Sequence, residues 1–361
     1  MSSQDAVLTK FREYTLGPLR FMNLLSCFEL GIVDSLKEDR SGGLTAAQIA
    51  EKAGVTPSAA EQLLHLMVKE DFVSFDETAS TYALDGLRDL TDEDLARVIP
   101  WMNMVKEVCL RQLYHLSDSV RTGTVVGLKE LFDFDGNFYE ASTRHPELQA
   151  SWGAMMDQVT DFIDPWFYDQ LDVGKDTKIL DLAGNTGLGA ILAYRHKGVK
   201  GAENLQVTCF DFPEKEAEAR ENFREHGVEE NCSFIGGDVF QGLPKGFDTI
   251  MIKHFLDMFD KENVYRIFQS AHDALEVGGQ VYVLVPIHPE DVKVSNSVDF
   301  FPAYMLGCTM AQGGPQKIST YEQWMEACGF KVTKAISQDI STMPPDVIPV
   351  HGIICGTKMP S

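Results

Sequence analysis

KILDLAGNTGLG, residues 178–189, is the stretch whose reading decides the fold. The apolar strand KILDL reaches an acidic residue, Asp181, and a glycine turn then opens a helix near Leu188. Gly184 and Gly187 let the backbone come close to a ligand, and the helix start offers unpaired N–H groups with a partial positive charge. The same turn also occurs as a plain packing feature, so the residues downstream of it determine its meaning.

After residue 175, strands and helices alternate: KILDL, the helix LGAILAYRH, LQVTCFD, the helix EKEAEARENFREHG, CSFIGGD, DTIMIKHF, the helix KENVYRIFQSAHDAL and QVYVLV. Continuous apolar strands in strict β-α alternation predict a mostly parallel, Rossmann-like α/β sheet covered on both faces. The helix TYEQWMEACGF and the strands KVTKAIS and VHGIICGTK close it. Upstream, residues 19–90 read as short amphipathic helices ending in a two-stranded wing, FVSFDETASTYAL, which predicts a winged-helix domain with N-caps at Thr45 and Thr56 and Pro57 in a first turn. The expected division is a winged-helix-like dimerisation domain over 1–95, a helical linker and pocket region over 96–170, and the Rossmann-like domain over 171–361. Phe21, Leu24, Leu25, Phe28 and Leu30 form an apolar stripe too large for a small winged helix to bury alone, which predicts a homodimer.

Fifty-four acidic against thirty-one basic residues give a formal charge of -23. That charge repels phosphate backbones and anionic membranes, and the presumed recognition helix carries Glu61, Glu70 and Asp71 against His65 and Lys69, so neither nucleic acid nor membrane is an expected partner. Seven cysteines without a Cys-x-x-Cys pair read as reduced, mostly buried thiols, and with no signal-like apolar segment this predicts a cytoplasmic protein. No His/Asp/Glu grouping has ligand spacing, so no metal is expected.

Three carboxylates end successive strands: Asp181, Asp211 and Asp238. Ligands of open α/β sheets lie outside those ends; Asp211 suits two ribose hydroxyls, and Asp238 with Phe240 suits an adenine amine and ring. Through DLAGNTG (181–187), FDFPE (210–214), GGDVF (236–240), IKHFLDMF (252–259) and GGPQKISTYEQWMEACGF (313–330), nearly the whole chain resembles class I S-adenosylmethionine-dependent methyltransferases of the winged-helix-containing small-molecule O-methyltransferase branch. The resemblance implies S-adenosylmethionine, leaving as S-adenosylhomocysteine, held by Asp181, Gly184, Asn185, Gly187, Asp211, Phe212, Asp238, Val239, Phe240 and Lys253. Ala183 and Asn185 stand where the family prefers glycine.

The family's catalytic residues are replaced. Asp257 stands at the histidine that takes the hydroxyl proton, and Val285 and Gln316 stand at its two glutamates. A thioether has no proton to lose, so positioning alone suffices for it, and the sulfonium product favours a carboxylate and aromatic faces. The leading expectation is therefore S-methylation of a small thioether without a general base, in which respect the chain resembles the bacterial 4-methylthio-2-hydroxybutyrate S-methyltransferases of dimethylsulfoniopropionate synthesis. The alternative is O-methylation with Asp257 or His254 as base, burial among Phe255, Met258 and Phe259 raising the Asp257 pKa. An idle S-adenosylmethionine-binding regulator and a dehydrogenase are the rivals from other classes. Asp257 and His254 are the catalytic candidates, and Tyr139, Trp152, Met156, Phe259, Met305 and Gln316 are the candidates for holding a small-molecule acceptor. His145, Arg144 and Lys317 join His254 and Tyr139 as candidates for an acceptor carboxylate.

Overall fold

The computed structural model describes residues 3–174, 176–198, 201, 202, 204–291, 293, 294, 296–309, 313–339 and 347–360. They form two compact units, Met1–Met102 and Asn103–Ser361. The break falls after Met102, and the helices between 103 and 170 are part of the same unit as the sheet.

In the first unit, helices Ser3–Glu29, Ile32–Glu38, Ala46–Ala53 and Pro57–Lys69 precede the antiparallel pair β1 (Val73–Asp76) and β2 (Thr81–Leu84). Thr45 and Gln48 form a reciprocal capping box, Thr56 accepts from the Ala59 N–H, and Pro57 opens its helix. Cys27, Ile32, Val33, Ile49, Leu64, Met67 and Val73 make the core. The stripe expected to await a partner is partly consumed here: Leu25 is buried, and Leu24, Phe28 and Leu30 pack against this core. The exposed apolar side chains of that helix lie nearer its start, at Val7, Leu8, Phe11, Tyr14 and Leu19.

The second unit is built on an eight-stranded sheet. Its strands are β3 (Lys178–Leu182), β4 (Gln206–Asp211), β5 (Cys232–Gly236), β6 (Thr249–Lys253), β7 (Gln280–His288), the short β8 (Gln316–Lys317), β9 (Phe330–Ser337) and β10 (His351–Lys358). The order is β5-β4-β3-β6-β7-β10-β9, parallel from β5 to β7 and antiparallel at β10 and β9, with β8 paired to the end of β7. The order reverses between β3 and β6, and that switch point opens a crevice at their carboxyl ends. Helix Lys261–Ala274 covers one face with Val264, Ile267, Phe268 and Ala271, all fully buried against Ile250, Ile252, Val281 and Val283. All seven cysteines are buried and free.

The turn after β3 is held in an uncommon backbone conformation. Ala183, Asn185 and Gly187 all have positive φ, at 58°, 51° and 83°. Gly187 is required because a Cβ there would lie 2.4 Å from the Phe223 ring, and Gly184 because one would lie 2.6 Å from Asp181 Oδ2 and 2.7 Å from Cys209 Sγ. The chain's own packing thus demands both glycines. Ala183, by contrast, bears a left-handed conformation that costs a non-glycine residue about 1–2 kcal/mol.

Ala183→Gly is expected to stabilise the protein by about 0.5 kcal/mol, the relieved strain outweighing the greater unfolded-state freedom. Gly187→Ala is expected to cost about 2–5 kcal/mol. Denaturant midpoints at unchanged slope measure both; equal stability of Gly187→Ala and the parent would contradict the packing argument. Phe268→Ala, a large-to-small change between helix and sheet, should cost about 3–5 kcal/mol by the same assay.

Candidate active site

The carboxyl ends of β3, β4 and β6 gather the charged residues of the crevice. Asp181 in β3 is buried, and its Oδ2 has no hydrogen-bond partner among the described residues. Burial pushes its carboxyl up to about 7, with the Lys253 cation offsetting part of the rise. Asp211 ends β4: its Oδ2 accepts the Asn185 N–H at 2.8 Å and its Oδ1 the Phe212 N–H at 2.7 Å, which clips the glycine turn to the strand beside it. Each oxygen keeps a lone pair for a further donor. Asp238 caps the turn Val239–Gln241 by accepting the Phe240 N–H at 2.9 Å. Phe240 has the Arg266 guanidinium 4.5 Å from its ring centre and the edge of Phe259 at 5.5 Å, while Val239 lies in the core and Phe212 is exposed.

Lys253 is engaged with its own chain. Its Nζ donates to Asp164 Oδ2 at 2.5 Å and to the Tyr168 hydroxyl at 2.8 Å, and that hydroxyl donates to Asp164 Oδ2 at 3.0 Å. Burial alone would lower the lysine pKa, but the Asp164 carboxylate holds it above the usual lysine range. Asp164 in turn, despite burial, is held well below the usual carboxylate range by Lys253 and His254. Sequence reasoning missed Asp164. Its signal was available as a single charge inside an apolar helical run, FIDPWFY (162–168), which a buried partner must compensate.

His254, next along from Lys253, has a positive φ of 49°, donates its backbone N–H to the Leu284 carbonyl, and brings Nε2 to 3.2 Å from Asp164 Oδ1. Its ring meets the edge of His351 at 5.1 Å; burial and the nearby His254 push His351 down to about 3, so it stays neutral. Asp257 comes next, in the turn Leu256–Met258. It is only 6 % exposed, and its Oδ1 has no hydrogen-bond partner among the described residues. Burial pushes this carboxyl up to about 6, with His254 pulling the other way. A buried carboxylate with a free lone pair and a pKa near neutrality is a competent proton acceptor.

A cleft of about 750 Å³ lies alongside, lined by Val125, Val126, Phe134, Tyr139, Met258, Phe259 and Thr309 among others. Of the expected acceptor residues, Tyr139 and Phe259 line it; Trp152 meets Tyr139 edge-on at 5.9 Å, and Met305 is buried with its Sδ 3.5 Å from the Thr309 hydroxyl. Met156 is half-buried on helix Pro146–Gln170. Gln316, like Asp257, is not among the residues that line this cleft, and its amide donates to the Gly314 carbonyl at 2.9 Å. Val285, at the other glutamate position, is buried in β7. Of the candidates for an acceptor carboxylate, Tyr139 lines the cleft and His254 faces Asp164, while Arg144 sits over the Phe134 ring, His145 packs on Phe132, and Lys317 donates to the Glu290 carbonyl.

Comparison with known proteins agrees with this arrangement along the chain. Residues 113–331 match the family model of an O-methyltransferase domain, and residues 13–87 that of an O-methyltransferase dimerisation domain. L-tyrosine C(3)-methyltransferase of Streptomyces lavendulae is 21% identical over 346 residues, covering 95% of this chain and 90% of that protein. 3-amino-4-hydroxybenzoate 4-O-methyltransferase of Streptomyces cremeus is 25% identical, covering 87% and 82%. Among solved structures, the S-adenosylmethionine-dependent methyltransferase SibL superposes with a TM-score of 0.79 at 20% identity over 98% of this chain and 100% of that one. Human N-acetylserotonin methyltransferase, solved with S-adenosylmethionine, gives 0.73 at 20% identity over 100% of both. With a matched catalytic domain over more than half its length and a matched dimerisation domain before it, the chain belongs to the O-methyltransferase family.

Proposed function

We propose that this protein uses S-adenosylmethionine to methylate a hydroxyl group of a small, ring-bearing acceptor, with Asp257 as the general base. The observation that carries the proposal is the buried Asp257 carboxylate, unpartnered at Oδ1 and with its pKa raised to about 6, at the position the family gives to its histidine. The missing histidine by itself suggests a substrate without a proton to lose. The buried carboxylate removes the need for that substrate, and the O-methyltransferase family and relatives that act at oxygen favour a hydroxyl over a thioether.

The residues at the sheet's carboxyl edge fit the donor. Asp181 offers an uncommitted buried oxygen for an ammonium group, Asp211 keeps lone pairs for ribose hydroxyls, and Asp238 with Phe240 offers an acceptor and a ring for adenine. Gly184, Asn185, Gly187, Phe212 and Val239 shape the backbone around them, while Lys253 acts from behind through Asp164 and Asp181. When bound, this cofactor supplies a sulfonium methyl group that is transferred by in-line displacement. The chain's own contribution is to exclude water with Tyr139, Trp152, Met156, Met305 and Phe259, to align the acceptor, and to receive its proton on Asp257. General-base catalysis of this kind is worth about 10²–10⁴ in rate.

The match to a dimerisation domain and the exposed Val7, Leu8, Phe11, Tyr14 and Leu19 support a homodimer in solution. Seven free thiols suit a reducing cytoplasm.

Asp257→Asn should reduce kcat by about 10²–10⁴ on phenolic acceptors such as 3-amino-4-hydroxybenzoate and L-tyrosine derivatives, with S-adenosylhomocysteine affinity retained by calorimetry. Preferred turnover of 4-methylthio-2-hydroxybutyrate by the parent, unaffected by that substitution, would overturn the hydroxyl reading. The base must be ionised to act, so kcat/KM should fall as pH drops through about 6, and a flat profile from pH 5 to 8 would contradict it. Asp211→Ala should abolish detectable S-adenosylhomocysteine binding and, by releasing the Asn185 and Phe212 N–H groups, lower the thermal midpoint while the chain still folds cooperatively.

A further inference from the structure

We propose that Asp164 is a positioning residue of the methyl-transfer site: by gripping Lys253 and His254 at once, it ties the donor crevice to the segment that carries the acceptor base and fixes the ring of His254, three residues before Asp257. The inference rests on the reading of Asp257 as base, and it concerns a residue on a different element, the helix Pro146–Gln170, ninety residues away in the chain from His254.

The geometry is specific. Asp164 accepts from Lys253 Nζ and Tyr168 on Oδ2 and faces His254 Nε2 with Oδ1, so both carboxylate oxygens are committed and directed apart. Its side chain is 1 % exposed. A carboxylate in that state is acceptor-only, so His254 must present a proton at Nε2, which fixes the orientation of the ring. His254 is also held by its backbone: a left-handed φ is tolerated because its N–H is bound to Leu284 in β7 and its ring is wedged against neutral His351 from β10. Without the carboxylate, nothing described on the helix side keeps the ring in that wedge.

The groups that face these residues are few. Asp257 is influenced by His254 along its own segment, and by Tyr139 from helix Phe138–Ser142 and Tyr321 from helix Ile318–Ala327. His254 meets Asp164 and His351. Asp164 meets Lys253, Tyr168 and, across Gly189, Asp181. His254 is therefore the basic side chain acting on Asp257 among the described residues, and Asp164 sets where that ring stands. A positive charge beside a buried carboxylate favours its ionised form, so holding His254 in place widens the pH range over which Asp257 is ready to take a proton.

The test reads the Asp257 carboxyl directly in the full-length protein, by carbon-13 NMR of aspartate-labelled samples, the Asp257 signal being assigned by its loss in Asp257→Asn. In His254→Gln and in Asp164→Asn the titration midpoint should rise by about half to one pH unit, and the double variant should rise no further than His254→Gln alone. A role confined to folding would lower stability and leave the midpoint where it is. An unmoved midpoint in His254→Gln, or a midpoint moved by His254→Gln and unmoved in a folded Asp164→Asn, overturns the proposal. If Asp164→Asn does not fold, Asp164→Glu keeps the charge beside Lys253 while displacing the grip on His254, and the same rise is expected of it. The base assignment is judged separately by the turnover of Asp257→Asn: full activity there defeats that assignment and this proposal with it, whereas lost activity with unmoved midpoints defeats only the role of Asp164.

Discussion

Three carboxylates are buried at the carboxyl ends of the strands: Asp164 and Asp181 share a single lysine, Lys253, and Asp257 faces His254 next to it in the chain. Removing such charges from water is costly unless they are paired, and only Asp164 is fully paired. The other two carry the cost as raised pKa values. The remainder of the unit can be understood as what makes this tolerable: a strand order that reverses between β3 and β6, a fully apolar layer of Val264, Ile267 and Phe268 beneath, and a long helix that delivers Asp164 from the other side. A site with two incompletely compensated carboxylates is less stable than an apolar one, and it is chemically useful for the same reason.

The sheet is legible in the sequence because its information is local. KILDL, LQVTCFD and CSFIGGD are apolar runs that contain or reach an acidic residue, QVYVLV is a continuous apolar run, and each forms a parallel strand of the expected sheet. The caps at Thr45 and Thr56 are equally readable, since a cap is decided within one turn of helix. The three carboxylates at strand ends can be placed from strand phase alone.

What escapes the sequence is long-range or conformational. Asp164 meets Lys253 and His254 across ninety residues of chain, and no spacing announces such a pair. The glycines after β3 read as openings for a ligand, whereas Phe223, Cys209 and Asp181 of the chain itself claim the space a side chain would take. The apolar stripe on the first helix reads as too large to bury, yet the neighbouring helices cover much of it. Nor does any sequence pattern mark the π-helical turns Val105–Leu110 and Met305–Thr309. The replacement of histidine by Asp257 is visible at once, but its meaning depends on burial, which a one-dimensional reading cannot supply.

Seven cysteines are shut inside this fold, and burial pushes thiols such as Cys27 up to about 11 and Cys232 up to about 12. A thiol that is both hidden and protonated does not react with an alkylating reagent, so labelling can proceed only while the surrounding structure is open. Cys27 lies in the first unit and Cys209 and Cys232 in the second. The protein therefore carries its own set of native reporters, by which the breathing of each unit can be timed separately without introducing a single foreign probe.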